Sequence, residues 1–284
     1  MRQTRSWATP IILFMIAIEL FVIMTIMIGE TEDRGNIAVV KVEGEIKESD
    51  KIVSAIKRYR KDEKIKAIVM RVESPGGAVG SSQEIYDEIL KTREQKPVIA
   101  SFGNIAASGG YYIGVACDKI VSTPGTITGS IGVITQFFRI DQVLKKIDLK
   151  WEVIKSGQNK DIGSALKELE PGQKDILQGM VDDIYDQFVA SVATGRKMDI
   201  EKVKQLADGR IYSGRQAKEL GLVDELGGLQ KAIALAATQA NIKEDDIEAF
   251  IYPREKKTLI ESVTGKTQLL PSLPDTLSVL YRMQ

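Results

Sequence analysis

The sequence predicts an α/β domain built on a largely parallel sheet. Three observations lead there: short runs rich in β-branched residues, apolar stretches of helical period lying between those runs, and turn residues at the junctions. Asn36 to Ile46 alternates and carries Ile37, Val39, Val40 and Val42, which reads as a first strand. Ser49-Asp50 can cap a helix that places Ile52, Val53 and Ile56 on one face. Ile65 to Val72 is a second strand, with Ile65, Ala67, Val69 and Arg71 on one side. Ser74-Pro75-Gly76-Gly77 is a turn, and Ser81 to Arg93 reads as a helix with Ile85, Ile89 and Leu90 apolar. Pro97 then opens a short buried strand, Val98-Ile99-Ala100-Ser101-Phe102.

The rhythm continues with a small-residue helix near 106–117, strands near 119–122 and 131–137, a helix near 140–147 and a strand at 150–155. After Pro171 a long helix is expected from Gln173 to Thr194. Its pairs Ile176/Leu177, Met180/Val181, Ile184/Tyr185 and Phe188/Val189 recur every three to four residues. Shorter helices follow near 200–207, 213–220 and 228–240. The expected domain therefore runs over 36–245, and 246–284, with Pro253, Pro271 and Pro274, is expected as a loosely ordered tail.

Ahead of the domain, Ile11 to Ile28 is an 18-residue apolar run broken by Glu19 and Thr25. A span needs about 17–25 such residues, so the run suffices for a transmembrane signal anchor. Met27-Ile28-Gly29-Glu30 offers no small-residue cleavage site of the Ala-x-Ala kind. Arg2 and Arg5 precede the run, whereas Glu30, Glu32 and Asp33 follow it with Arg34 alone. The positive-inside rule then gives residues 1–10 as cytoplasmic, 11–28 as the span, 29–35 as a linker and the domain as extracytoplasmic. Glu19 is costly in lipid, by about 2.5–3.5 kcal/mol at a helix centre, and suits either a helix–helix contact or a tilted span.

Composition removes several functions. Lys+Arg and Asp+Glu both number 39, so nothing calls for nucleic acid as a partner. Histidine is absent, which excludes Ser-His-Asp and Cys-His mechanisms and imidazole metal sites. Cys117 is the one cysteine and lies in the apolar stretch Gly114-Val115-Ala116-Cys117, as a small buried hydrophobe would. No metal or other cofactor is expected.

Three Gly/Ser clusters remain as candidates for chemistry. Arg71 to Gly77 ends a strand in Pro-Gly-Gly, which suits an oxyanion hole of backbone N–H groups or an ordinary tight turn. In Ile105-Ala106-Ala107-Ser108-Gly109-Gly110-Tyr111-Tyr112 a serine stands at a strand-to-helix junction among small residues. That is the logic of a nucleophile elbow, and equally of a helix N-cap. Lys155-Ser156-Gly157-Gln158-Asn159-Lys160 places two lysines in a Gly-containing loop, where most lysines are solvated surface groups. With histidine absent, a serine nucleophile needs another base, and lysine is a known substitute. The residues by themselves do not choose between Lys155 and Lys160.

Taken together, Ser-Pro-Gly-Gly (74–77), Ala-Ala-Ser-Gly-Gly-Tyr-Tyr (106–112), Thr-Gly-Ser-Ile-Gly-Val (128–133), Lys-Ser-Gly-x-x-Lys-Asp (155–161) and Asp-Gly-Arg-Ile-Tyr-Ser-Gly-Arg-Gln-Ala (208–217) resemble the signal peptide peptidase A family in its single-length form. That family lies within the Clp protease/crotonase-like superfamily, and the likeness covers about residues 36 to 240. The resemblance implies an α/β fold of repeated β-β-α units. It places the nucleophile on Ser108, the general base on Lys160, a lysine-positioning hydroxyl on Ser130, and oxyanion donors on Gly77 and Gly109. It further implies peptide substrates such as cleaved signal peptides, and a ring-shaped homo-oligomer whose neighbouring subunits complete each site. Glu73 and Ala165 depart from the family pattern, where Asn or Asp and Pro are usual. A protease specific for one partner protein is the nearest alternative, and an acyl-CoA-binding module of crotonase type the alternative from another class.

Overall fold

The structure is a computed structural model that describes residues 12–19 and 35–253. The chain divides into two units, Met1–Gly35 and Asn36–Gln284. In the first unit, residues 12–19 are helical. They form part of the expected span 11–28, the rest of which lies outside the described residues. Among the described residues, no helix is long and apolar enough to cross a membrane.

The second unit is a mixed α/β fold. It begins β1 (Ile37–Glu43), α1 (Asp50–Lys61), β2 (Ala67–Ser74), α2 (Val79–Arg93), β3 (Val98–Ala107), α3 (Gly109–Val115), β4 (Lys119–Ser122) and β5 (Ile127–Gly129). It continues α4 (Asp141–Lys146), α5 (Pro171–Arg196), α6 (Ile200–Leu206), β6 (Ile211–Ser213), α7 (Gly214–Glu219), β7 (Glu225–Leu226), α8 (Leu229–Gln239) and β8 (Ala249–Tyr252). Every strand pair is parallel except β5–β6. Parallel strands covered on both faces need apolar residues at successive positions, and Ile37–Val40 and Ala67–Met70 are all buried. Alternate residues serve opposite faces. Ala38, Val40 and Val42 pack with α1, α2, α3 and α5, while Ile37 and Val39 pack with Ala232, Ile233, Ala236 and Ala237 of α8. Each of the valines and isoleucines among them contributes about 1.5–3 kcal/mol by leaving water.

The sheet divides into two tiers along β3. Val98–Phe102 pairs with β2 and β4, whereas Ile105–Ala107 turns to pair with β5. The register slips between Val72↔Phe102 and Ser74↔Ala106. Glu73 fills the slip: its carboxylate accepts from the Asn104 N–H (2.7 Å) and from the Arg71 guanidinium (2.6 Å). A Cβ at Gly103 would lie 1.5 Å from a Glu73 carboxylate oxygen, so a side chain there would displace that carboxylate from its two partners. The second tier thus runs through the Ile46↔Gly77 bridge, Ser74↔Ala106, Ile105↔Ile127 and β5–β6. Each long strand is followed by a second-tier segment and then, for the first three, by a helix. The expected site residues Gly77, Ser108 and Ser130 all stand at this second tier.

Five local expectations change. The helix expected near 106–117 starts only at Gly109, because Ala106 and Ala107 pair with Thr128 and Gly129 of β5, and pairing overrides the alanines' helix propensity. The stretches 131–137 and 150–155 form no strand; no neighbouring strand pairs with them, and Ile134, Trp151, Val153 and Ile154 stay exposed. Ala249–Tyr252, inside the expected tail, pairs with β1 as an edge strand, and Phe250 packs on Tyr59. Ser49 precedes α1 as expected but makes no cap bond, its hydroxyl going instead to Glu84 of α2.

One ion cluster ties the long helix to the sheet. Arg196, near the end of α5, meets Asp224 at 2.6 Å, and the carboxylate also accepts from the Ile120 N–H (2.8 Å) and Lys119 (3.1 Å). Burial opposes ionisation of Asp224, but Arg196, the Ile120 N–H and Lys119 outweigh it and hold its carboxyl below the usual range. The folded state therefore binds the proton less readily than the unfolded chain. The resulting stability is present above the ordinary carboxylate range near pH 4 and is lost as pH falls through the lowered folded value. Asp224→Ala is expected to cost about 3 kcal/mol at neutral pH by leaving Arg196 buried without its partner, and to flatten the acid limb of a pH-dependent melting curve. A variant that melts with the wild-type acid limb would contradict this.

Candidate active site

β3 hands directly to α3 through Ser108, whose backbone sits at φ 51° and ψ −120°. A non-glycine residue at positive φ costs about 1–2 kcal/mol, so the surroundings must impose it. They do so by two bonds: the Ser108 N–H donates to the Gly129 carbonyl (2.9 Å), and the Ser108 carbonyl accepts from the Tyr112 N–H (2.8 Å). Ser108 is 7% exposed and its side chain makes no cap bond to α3, so the N-cap reading of this serine does not hold. A sharp strand-to-helix turn that presents an unused hydroxyl has the form of a nucleophile elbow.

The Pro-Gly-Gly turn after β2 packs against this elbow. A Cβ at Gly76 would lie 2.8 Å from the Gly109 nitrogen and 2.9 Å from the Ser108 Cβ. A Cβ at Gly109 would in turn lie 2.6 Å from the Ser82 hydroxyl and 3.3 Å from the Gly77 nitrogen. Side chains at either position would push the turns apart. Gly77 and Gly109 are therefore neighbours across the elbow. Among the described residues, neither of their N–H groups has a protein acceptor. Two adjacent, unengaged backbone donors beside a serine hydroxyl can stabilise an oxyanion that develops on a carbonyl attacked there.

Ser108 stands where two cavities meet. One is a narrow apolar recess of about 30 Å³, lined by Gly77, Tyr112, Val133, Ile184 and Phe188 besides Ser108. Its wall is stiffened by the Tyr112 ring, held between Tyr86 (4.7 Å) and Phe188 (5.0 Å). The other is a wider cavity of mixed lining, about 850 Å³, that includes Ser108, Ser130, Tyr185, Asp208 and Arg210. Ser130 also has a left-handed backbone, φ 50°, at the end of β5. The structure thus brings Ser108, Ser130, Gly77 and Gly109 into one place.

Lys160 is not part of that place in this chain. It lies on an exposed turn after 150–155, its N–H donates to the Gly157 carbonyl (3.1 Å), and it lines neither cavity. Among the described residues its ammonium has no ion-pair partner. Lys155 and Lys167 instead both grip Asp161, at 2.7 and 3.0 Å. Those hydrogen bonds hold the Asp161 carboxyl below the usual range and push Lys167 up. Cys117 is buried, and burial pushes its thiol up, away from any nucleophilic role. Asp208 and Arg210 were present in the sequence only as part of a family-like motif without a role; their place beside Ser130 comes from the β5–β6 pairing.

The chain is similar to known proteins over most of its length. The Clp protease family model matches residues 33–128, and the Peptidase family S49 model matches residues 91–243. A candidate protease of Synechocystis sp. is 43% identical over 252 residues, which are 88% of this chain and 90% of that protein. The chloroplastic serine protease SPPA of Arabidopsis thaliana is 34% identical over 88% of this chain and 37% of its own length. A candidate signal peptide peptidase of Enterococcus faecium is 41% identical over 64% of this chain and 53% of its own length. The chain thus spans nearly all of the first of these and about half or less of the other two. A histidine-free chain with a serine elbow beside two free backbone donors agrees with what these matches say. This chain belongs to peptidase family S49 and is a serine peptidase.

Proposed function

We propose that the chain is a membrane-anchored endopeptidase that uses Ser108 as nucleophile and Lys160 as general base. Its substrates would be cleaved signal peptides and other unfolded apolar peptides at the extracytoplasmic membrane face. The observation that carries this is the Ser108 elbow, strained and uncapped, between the free Gly77 and Gly109 N–H groups. The Ser108 oxygen attacks the scissile carbonyl while its proton passes to the lysine amine. The oxyanion faces the two N–H groups. Collapse breaks the C–N bond, the lysine returns the proton to the leaving amine, and water releases the acyl group by the same path.

The choice of Lys160 over Lys155 rests on partners. The Lys155 ammonium is engaged by Asp161 (2.7 Å) and by the Gln158 carbonyl (2.7 Å), whereas the Lys160 ammonium is unengaged among the described residues and so is the freer of the two to turn to a serine. The recess of about 30 Å³ suits a small side chain at the cut. Anchoring rests on the apolar run 11–28 and its flanking charges.

Lys160 must still reach Ser108 and lose water. In the stretch of chain before it, Phe138, Ile147, Trp151 and Ile154 are exposed, at 74, 63, 64 and 103%. A second copy covering this strip would dry the lysine and bring it to a neighbouring elbow, in keeping with the ring the family resemblance implies. Light scattering alongside a fluorogenic peptide assay over a dilution series tests this. Specific activity is expected to fall as the assembly dissociates, and a fully active monomer would overturn the assembly.

A further inference from the structure

We propose that Asp208 and Arg210 are positioning residues, whose turn holds Ser130 in the left-handed backbone that presents it to the cavity shared with Ser108. The inference rests on the reading of Ser130 as the hydroxyl that orients the base.

Ser130 cannot hold its conformation alone, since φ 50° is unfavourable for serine. The turn between α6 and β6 brackets it on both sides. The Ser130 N–H donates to the Arg210 carbonyl (2.8 Å), and the Gly209 N–H donates to the carbonyl of Ile131 (3.1 Å). Both bonds need Gly209 at φ +86°, a left-handed turn that glycine takes without strain. The turn is closed on itself by Asp208. Its carboxylate accepts from the Arg210 N–H (3.1 Å) and Nε (2.7 Å), while its other oxygen takes a terminal guanidinium nitrogen. This bidentate grip, together with the backbone bond, holds the Asp208 carboxyl down to about 2.

The same turn also reaches Ser108. Gly129 pairs with Ile211 across β5–β6, and the Gly129 carbonyl is the acceptor for the Ser108 N–H. Tyr212 seals the junction. A Cβ at Gly129 would lie 2.6 Å from its ring, and its hydroxyl donates to the Leu206 carbonyl (2.9 Å). The two strained serines are thus held by the two pairings that share β5, and the second of these ends on the Asp208–Arg210 turn. The Asp208 and Arg210 side chains are half exposed, and exposed ion pairs contribute little to stability. Their loss should show in the geometry of the site before it shows in melting.

The test uses the full chain and a fluorogenic peptide, with Asp208→Ala, Ser130→Ala and the double variant. Asp208→Ala is expected to lower kcat about tenfold or more, the scale of an ångström misplacement. KM should stay within about twofold and melting close to wild type, as an exposed pair predicts. The double variant should be no slower than Ser130→Ala alone, because Asp208 acts through Ser130. Arg210→Lys, which keeps the charge but loses the fork, should lie between wild type and Asp208→Ala, and replaces it if that variant fails to fold. Wild-type kcat in both Asp208→Ala and Arg210→Lys would overturn the proposal, as would multiplied losses in the double variant. A rise in KM alone would overturn it too, by making these residues substrate contacts. A folded Ser130→Ala with wild-type kcat would remove the reading of Ser130 itself, and the clamp with it.

Discussion

Ser108→Ala is expected to lower kcat for peptide hydrolysis by about 10⁴-fold or more, the scale seen when a serine nucleophile is deleted. Melting should hardly move, for two reasons. The hydroxyl makes no cap bond, so its removal leaves no buried donor or acceptor stranded. Alanine also has the same Cβ as serine, so the strain at φ 51° is unchanged, and the two bonds that impose it are backbone bonds. The measurement is kcat with a fluorogenic peptide together with a thermal melt of each protein. A folded variant that keeps more than about a tenth of the wild-type rate would remove Ser108 from the mechanism, since no nucleophile of this class survives such a change.

Lys160→Ala should be as damaging, because base and nucleophile act as a unit and their losses do not add. Lys155→Ala should be mild, since Lys167 remains on Asp161 at 3.0 Å when Lys155 is gone. The wild-type rate should rise toward alkaline pH as the base sheds its proton. If the base comes from a neighbouring copy, mixing inactive Ser108→Ala with inactive Lys160→Ala restores part of the activity. An essential Lys155 beside a dispensable Lys160 would reverse the assignment.

The sheet was legible in the sequence wherever local pattern and tertiary pairing agree. Ile37–Glu43 and Ala67–Ser74 are strands because β-branched runs buried on both faces fit a parallel sheet and little else. The failures fall where pairing is non-local. Ala106-Ala107 has helix-forming composition but is held extended by β5, and Ala249–Tyr252 is a strand only because β1 offers a free edge. The stretch 150–155 has strand composition but no partner in the chain, so Trp151 and Ile154 remain in solvent. The site divides in the same way. Gly77 and Ser108 stand in Gly/Ser clusters that the sequence displays, whereas Ser130 was indicated only by the family resemblance. The Asp208–Arg210 turn was hidden, since it reaches Ser130 through the antiparallel pairing of Ile211 with Gly129, more than eighty positions away in the chain.

If Ser108 is a nucleophile activated without histidine, covalent trapping should capture it. A peptidyl phosphonate fluoride captures an activated serine, and peptide mass mapping locates the adduct. Loss of activity should track a single adduct on Ser108, and Lys160→Ala should prevent its formation. Inactivation accompanied by an adduct on any other residue, with Ser108 unmodified, would contradict the account.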